Sequence, residues 1–231
     1  LAQEMARVCG SAPPVRSADK LTDTDLHNTH VIALGVFANN AVIEKLYHRL
    51  LISCDWSWPT GTDSYVIRTV HNPWLTGRNV ICLGSTSVSG CGKAVARFLE
   101  LLRRNGNATI GPIIDVHADE QPTPPNEATL AAATMGIDKE TSSRSMGGVV
   151  AKYANLYYHT GAPRWATLFL TAMRKLDKLH EAEGDASDVR TCRYLFAEFD
   201  RIDEGPAFSE VERLELVNLF LRFACRLTYA K

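Results

Sequence analysis

The sequence has no excess of charge of either sign and no apolar run long enough to cross a membrane. Its 231 residues carry 25 Lys and Arg against 26 Asp and Glu, a net charge of -1. The net charge therefore gives no support for nucleic acid or an anionic membrane surface as a partner. The apolar runs fall well short of the roughly 20 residues that a membrane-spanning helix needs. We expect neither a nucleic-acid partner nor a membrane partner.

Metal-binding cysteine motifs are also missing. The six cysteines are scattered, with no Cys-x-x-Cys pair and no histidine nearby at ligand spacing. Asp115, His117 and Asp119 alternate at the end of a predicted strand, so they share one side, but no fourth ligand suggests itself. We therefore predict no metal site and no cofactor.

A secretory signal is not recognisable at the start of the sequence. The chain begins Leu1-Ala-Gln-Glu, without Met and without the charged start and apolar core of such a signal. We interpret the sequence as a processed product or as a piece of a longer protein.

What the sequence does contain is enough apolar residues, 45% of the chain, to fill one large core or two small ones. In the first half, β-rich runs alternate with amphipathic helices, in the order strand, helix, strand, strand, helix and a last strand. This order predicts an α/β domain over residues 1–118, with helices packed on one face of the sheet. The predicted strands are 30–35, 64–71, 78–84 and 108–116, and the second and third should pair as an antiparallel hairpin.

The pattern changes after a polar, proline-rich stretch at 119–126, which is typical of a linker. Beyond it, every long segment has helical spacing. The predicted helices are 127–135, 145–158, 165–181, 191–199 and 209–229. We therefore assign the α+β class, with a small mixed α/β sandwich domain followed by an all-α region of helical hairpins over 127–231.

The segment 84–93, Gly-Ser-Thr-Ser-Val-Ser-Gly-Cys-Gly-Lys, lies between a strand and a helix and invites comparison with a phosphate-binding loop. Its glycine spacing does not fit that motif, and Ala94 stands where a Ser or Thr should hold magnesium. We interpret the segment as a glycine-rich turn rather than as a nucleotide site.

Two stretches carry a resemblance to carbohydrate-active enzymes. The run from Val31 to Arg104, with Ser-Tyr-Val-Ile-Arg, Asn-Val-Ile-Cys-Leu-Gly and Ser-Gly-Cys-Gly-Lys-Ala-Val-Ala-Arg-Phe-Leu-Glu, resembles the α/β accessory domain of family 20, 67 and 84 glycoside hydrolases. The hairpin around Tyr-Tyr-His-Thr-Gly-Ala-Pro, within Tyr153–Leu179, resembles the helix pairs of α/α toroid enzymes such as heparinase-type lyases and glucuronyl hydrolases. The accessory domain is usually not catalytic in those families, and the helical region would be the start of an incomplete toroid.

The toroid resemblance points to residues at helix ends, where the cleft of such folds opens. Arg144 could pair with a uronic acid carboxylate, while Tyr158 and His159 are the residue types that a lyase uses as base and acid. The structural alternative is that His159 interacts with the carbonyl groups at a helix C-terminus. Trp58 lies in a loop with Trp56, near Trp74 and Tyr65, and such rings either stack on sugars or dock one domain on another.

Two further features stay open. An acidic run, Glu198, Asp200, Asp203 and Glu204, could hold a glycosidase carboxylate or be a solvated helix end. The last predicted helix is apolar nearly all round, so we expect it to be covered by the remainder of a longer chain or by partner subunits.

Together, these patterns predict the N-terminal portion of a polysaccharide-degrading enzyme, a lyase or a glycoside hydrolase acting on acidic or amino-sugar glycans. Arg144, Tyr158, His159 and Trp58 are the expected substrate-binding residues, and no catalytic residue is assigned. The resemblance favours a secreted or periplasmic location. The alternative is a non-catalytic interaction or structural module of a larger assembly.

Overall fold

The computed structural model describes residues 1–52, 61–105, 110–119, 122–184 and 190–229. The chain divides into two compact units, Leu1–Gln121 and Pro122–Lys231. The first contains a four-stranded mixed sheet with helices, and the second is helical wherever it has regular structure. The fold class is therefore α+β with a helical region, as the sequence predicts.

The sheet of the first unit contains β1 (Val31–Gly35), β2 (Tyr65–Val70), β3 (Val80–Gly84) and β4 (Ile114–His117), in the spatial order β1-β3-β2-β4. β2 and β3 pair in antiparallel register, which confirms the predicted hairpin. β1 runs parallel to β3, and β4 runs antiparallel to β2. The last strand begins later than the sequence pattern suggests.

Helices cover both faces of this sheet, so the expectation of helices on one face is wrong. The helices are α1 (Ala2–Cys9), α2 (Asp23–Asn28), α3 (Ala41–His48) and α4 (Val88–Asn105). One core joins α2 and α3 to Ala33, Val70 and Cys82, while the other joins α1 and α4 to Ile67 and Leu83. Alternate strand residues point to opposite faces, and both alternating sets are apolar, which is why the sheet needs two layers of helices.

Local capping explains where these helices begin. The Asn40 side chain accepts hydrogen bonds from the amides of Val42 and Ile43, at 3.0 and 3.1 Å, and so starts α3. Thr22 and Asp25 form a capping box that starts α2, a short helix that the apolar pattern did not reveal.

The second unit contains α5 (Glu127–Lys139), α6 (Ser143–Thr160), α7 (Pro163–Glu183), α8 (Arg190–Ile202) and α9 (Glu210–Tyr229). α6 packs against α7 and α8, and α7 packs against α5 and α9. Ser209 and Glu212 form a capping box at the start of α9, with the Ser209 amide donating to the Glu212 carboxylate at 2.8 Å.

The turn between α6 and α7 has the geometry that its residues predict. Gly161 adopts a left-handed conformation (φ 62°), and its amide donates to the carbonyl of Tyr157 at 2.8 Å. Pro163 occupies the first turn of α7, where its missing N–H leaves no bond unmade. The two helices are therefore joined as an antiparallel hairpin, with Tyr158 and His159 placed just before the turn.

The last helix buries one face and exposes another. Leu216, Leu219, Phe220 and Phe223 are buried, and two ion pairs, Arg174–Glu215 and Arg222–Asp177, tie α9 to α7 at 2.6 and 2.7 Å. The opposite side carries an apolar stripe that is 44 to 77% exposed, consisting of Val211, Leu214, Val217 and Leu221. Among the described helices, none has the length and apolar character needed to cross a membrane.

Candidate functional site

The predicted binding residues that the structure describes do not all lie together. Arg144 is in the first turn of α6, whereas Tyr158 and His159 are in its last turn. Fourteen residues at 1.5 Å each separate Arg144 from Tyr158 by about 20 Å along the helix. Trp58 lies outside the described residues. Of the three predicted residues that the structure describes, Tyr158 and His159 lie together and Arg144 does not.

A different arginine accompanies Tyr158. The guanidinium carbon of Arg201, on α8, lies 5.1 Å from the centroid of the Tyr158 ring. Arg201 also forms an ion pair with Glu198, one turn earlier on the same helix, and the two side chains are 3% and 13% exposed. A buried guanidinium needs such a carboxylate, because an isolated charge is costly to remove from water.

His159 is the more accessible partner in this cluster. Its ring meets the Tyr158 ring edge to face at 5.2 Å, and the side chain is half-buried. Burial, together with the positive charge of Arg201, lowers the pKa of His159 below its usual 6.5. Its Nδ1 has no hydrogen-bond partner among the described residues. The imidazole is thus neutral near pH 7 and able to accept a proton.

Sequence reasoning missed Arg201, although a signal for it exists. Glu198 belongs to the acidic run that the sequence singles out, and Arg201 follows it at the three-residue spacing that places two side chains on the same face of a helix. What the spacing does not reveal is that this face of α8 packs on the end of α6.

Tyr157, which precedes Tyr158 on α6, is buried and contacts the connection between α8 and α9. Its ring is 2% exposed, and its hydroxyl accepts a hydrogen bond from the amide of Ala207 at 3.2 Å. A Cβ added to Gly205 would overlap the Tyr157 ring and hydroxyl, so the glycine permits this close contact. Tyr157 therefore fixes the α8–α9 connection and is not available to a substrate.

The hydroxyl groups of the glycine-rich turn and Lys93 are engaged by neighbouring groups of the protein. Ser85 Oγ donates to the carbonyl of Ser64 at 2.6 Å, Ser89 Oγ donates to Asp63 at 2.7 Å, and the Gly90 amide donates to Ser87 Oγ at 2.9 Å. Lys93 is paired with Asp63 at 2.6 Å. The hydroxyl groups and the lysine hold the neighbouring 61–64 segment, which favours the structural interpretation of this turn.

The two described aromatic residues of the predicted loop cluster belong to different cores. Trp74 packs with α2 and α3, where Arg49 lies 4.9 Å over its ring, and Tyr65 packs with α4 on the opposite face of the sheet. Both are 8% exposed. They form no common surface for a sugar, and Trp56 lies outside the described residues.

Asp115 and His117 are engaged in other contacts. Asp115 accepts from Arg97 Nε at 2.8 Å, and His117 stacks on the Tyr65 ring at 5.5 Å. Burial and Asp115 both raise the pKa of Tyr65, whose phenol therefore stays protonated. Within the part of the chain that the structure describes, no three His, Cys, Asp or Glu side chains are grouped as metal ligands.

Comparison of the chain with protein-family models, with curated proteins and with solved structures finds no match.

Proposed function

We propose that this chain is the N-terminal portion of a polysaccharide-degrading enzyme, with its substrate cleft at the α6–α7 turn. The observation that carries the proposal is the cluster of His159, Tyr158, Arg201 and Glu198. It combines a neutral, half-exposed imidazole with a buried guanidinium, a phenol ring and a carboxylate. These are the residue types that polysaccharide lyases and glycoside hydrolases use on acidic glycans.

In this proposal, His159 is the group that touches the substrate. A neutral imidazole can remove the proton beside a uronic acid carboxylate, and the lowered pKa keeps it in the proton-accepting form. Tyr158 is 3% exposed and serves as the wall that orients His159. Arg201 holds the Tyr158 ring in place through its cation–π contact.

The carbohydrate partner is supported by the resemblance of two stretches in the order accessory domain and then toroid helices. Secretion or a periplasmic location would follow from a polysaccharide substrate. Arg144 remains a candidate for a more distant substrate contact, since it lies at the other end of α6 from His159. Trp58, which lies outside the described residues, remains a candidate from the sequence alone.

The test is an assay of the full-length protein on a panel of uronic acid and amino-sugar polysaccharides. Elimination produces an unsaturated, ultraviolet-absorbing sugar together with new reducing ends, whereas hydrolysis produces reducing ends alone. We expect one of these signals, reduced at least about 100-fold in a His159→Ala variant, as is typical for loss of a general base. The matched control is His48→Ala, since His48 is an exposed histidine of α3. Absence of both signals on every polymer would refute the proposal.

A second function, a protein-interaction module, is favoured by the exposed stripe on α9. Four apolar side chains on one helix face, 44 to 77% exposed, form a surface of the kind that binds another protein segment. The remainder of a longer chain or a partner subunit would cover it. Sedimentation of a compact monomer that binds no hydrophobic dye would remove the support for this alternative.

A further inference from the structure

Five exposed residues of α9 follow one another at alternating steps of three and four. They are Val211, Leu214, Asn218, Leu221 and Cys225. Such steps average 3.5 residues, the period at which one helix stays in contact with a second helix along its length. We call this line of residues the α9 seam. Val211, Leu214 and Leu221 also belong to the apolar stripe and are 57 to 77% exposed.

The α9 seam faces away from the core of its own unit. Leu216 and Phe223 are fully buried, and the helical repeat of 3.6 residues places them on the opposite side of α9 from the seam. The two ion pairs to α7 described above hold the helix in this orientation. Packing within the described unit therefore does not account for the heptad spacing, which is the spacing needed to pack on a further helix.

The residue types of the seam are those of a two-stranded coiled coil. Two positions of each heptad, called a and d, form the contact, and parallel pairs of helices prefer a β-branched residue at a and leucine at d. Val211 occupies an a position, and Leu214 and Leu221 occupy the d positions. Asn218 occupies the a position in the middle, where a single asparagine fixes the register and the number of helices. The seam therefore has the composition of a helix that pairs with one identical helix.

Asn218 decides the relative direction of two such helices. Parallel pairing in register places each seam residue beside the same residue of the second copy, so the two Asn218 amides can form a hydrogen bond. Full antiparallel overlap places Asn218 beside Leu221 of the second copy and leaves a buried amide unpaired. Parallel pairing does bring Glu210 near Glu215 of the second copy, but Glu215 is already paired with Arg174 and both carboxylates lie at the rim. Water screens a repulsion at the rim, whereas an unpaired buried amide is costly, so parallel pairing is favoured.

The seam has the area that a small dimer interface needs. Its exposed side chains, with Val217 at the edge, offer on the order of 500 Å² on one helix. Pairing of two copies then buries about 1,000 Å² in total, the lower limit for a specific interface between proteins. We therefore expect a reversible dimer with a dissociation constant in the micromolar range, roughly 1–100 µM.

We propose that two copies of this chain form a dimer in which their α9 helices pack along the seam, parallel and in register. Val211, Leu214 and Leu221 form the apolar layers of the pair, Asn218 forms its single polar layer, and the Cys225 thiols of the two copies lie together. The dimer names the partner for the surface on which the interaction-module alternative rests, and it does not depend on polysaccharide cleavage.

The first experiment is sedimentation equilibrium of the full-length protein over a range of concentrations. We expect a monomer–dimer equilibrium that Leu221→Gln weakens at least about tenfold, because two leucines of the dimer lose their burial. Met135→Gln on α5 is the matched control, since Met135 is 55% exposed and Leu221 is 57% exposed. Neither change should move Tm by more than about 2 °C, which guards against effects of misfolding.

The second experiment tests the direction of the helices with a short bifunctional maleimide that links two thiols. Cys225 is exposed, and in the parallel dimer it lies beside Cys225 of the second copy. We expect the reagent to produce a covalent dimer that Cys225→Ser abolishes. Adding Leu214→Cys to Cys225→Ser should restore the link, because residue 214 also lies beside its own counterpart. Full antiparallel overlap separates the two Cys225 thiols by about 16 Å along the axis and places Cys225 beside residue 214 of the second copy.

Three outcomes would overturn the proposal. A full-length protein that stays monomeric well above the expected dissociation constant would mean that the rest of the chain, another protein or water covers the seam. A dimer that Leu221→Gln and Met135→Gln affect equally would have its interface elsewhere. A link that requires both Leu214→Cys and Cys225 would show antiparallel helices. Because no polysaccharide is present, a monomer that cleaves polysaccharide would end this proposal alone, and a dimer that cleaves none would end the proposed function alone.

Discussion

The guanidinium of Arg201 lies over the ring of Tyr158, with its central carbon 5.1 Å from the ring centroid. This contact joins α8 to the last turn of α6 and brings a permanent positive charge close to His159. The charge and the burial act in the same direction on the imidazole, because each disfavours its protonated form.

The lowered pKa of His159 predicts a loss of stability on mild acidification. The folded-state pKa lies below the unfolded value of 6.5, so the unfolded chain binds a proton first as the pH falls. The contribution of the neutral His159 imidazole to the free energy of unfolding is fully present above about pH 6.5. It is lost as the pH falls from there through the folded-state pKa. Thermal unfolding between about pH 7 and pH 5 should show a smaller decline in Tm for His159→Asn than for the parent. An equal decline in His159→Asn, with His48→Asn as the control, would contradict the assignment.

Alanine is expected to have opposite effects on stability at Gly90 and at Gly92, two glycines of α4. A Cβ at Gly90 would overlap the carbonyl oxygen of Ser64 and the Ser85 hydroxyl, whereas a Cβ at Gly92 would meet nothing within 4 Å. We expect Gly90→Ala to lower the free energy of unfolding by about 1–3 kcal/mol through overpacking. Gly92→Ala should raise it by about 0.5–1 kcal/mol, because alanine is the better helix former. Urea unfolding of both variants measures the difference, and a destabilised Gly92→Ala would show that the contrast is not steric.

The hydroxyl of Tyr157 is expected to stabilise the folded protein, so that its removal lowers the free energy of unfolding. Tyr157→Phe leaves the Ala207 amide without its acceptor, which should lower the free energy of unfolding by about 1–2 kcal/mol. Tyr194→Phe is the matched control, since Tyr194 is 75% exposed and should tolerate the change. Hydrogen exchange at the Ala207 amide should also accelerate in the first variant. Unchanged stability and exchange would mean that the bond contributes nothing.

Glu183 caps the start of α6 from the end of α7. Its carboxylate accepts from the amide of Ser143 at 2.6 Å and from the Ser143 hydroxyl, and these two bonds lower its pKa. Glu183→Gln should reduce the free energy of unfolding by about 1 kcal/mol at neutral pH, where the carboxylate is ionised. The effect should fade as the pH falls through the lowered pKa, because the protonated parent then loses the same interaction. Glu181→Gln, a change at an exposed position two residues earlier, should have no such effect.

The apolar stripe on α9 predicts a variant that changes association but not folding. Replacing Val211 and Leu214, which are 77% and 63% exposed, by Gln should leave Tm within about 2 °C, since neither residue contributes to a buried core. Binding of a hydrophobic dye, or self-association in sedimentation, should decrease. The same pair of changes at Leu216 and Leu219, which are buried, should unfold the helical unit. Dye binding that persists in the Val211 and Leu214 variant would mean that the dye binds a surface other than the apolar stripe on α9.

The candidate site was only partly accessible to sequence reasoning. Tyr158 and His159 were found because the Gly161 turn fixes them at a helix end, a local property of the chain. Arg144 shares their helix but lies about 20 Å away, since helix length, and not residue type, sets that separation. Arg201 entered only through a contact between helices, and no spacing along one helix predicts which neighbour it will meet.

The fold divides in the same way. The sequence by itself determined most of the elements, although not α2 or the start of β4. The apolar periodicity, the Asn40 and Ser209 caps and the Gly161 turn depend on interactions within a few residues, so they are local properties of the chain. Only the tertiary structure decided that both faces of the sheet are covered, that β1 lies beside β3, and that the last helix keeps an apolar face exposed. Burial depends on which surfaces meet after the chain has folded, and an apolar residue is equally apolar whether a partner covers it or water does.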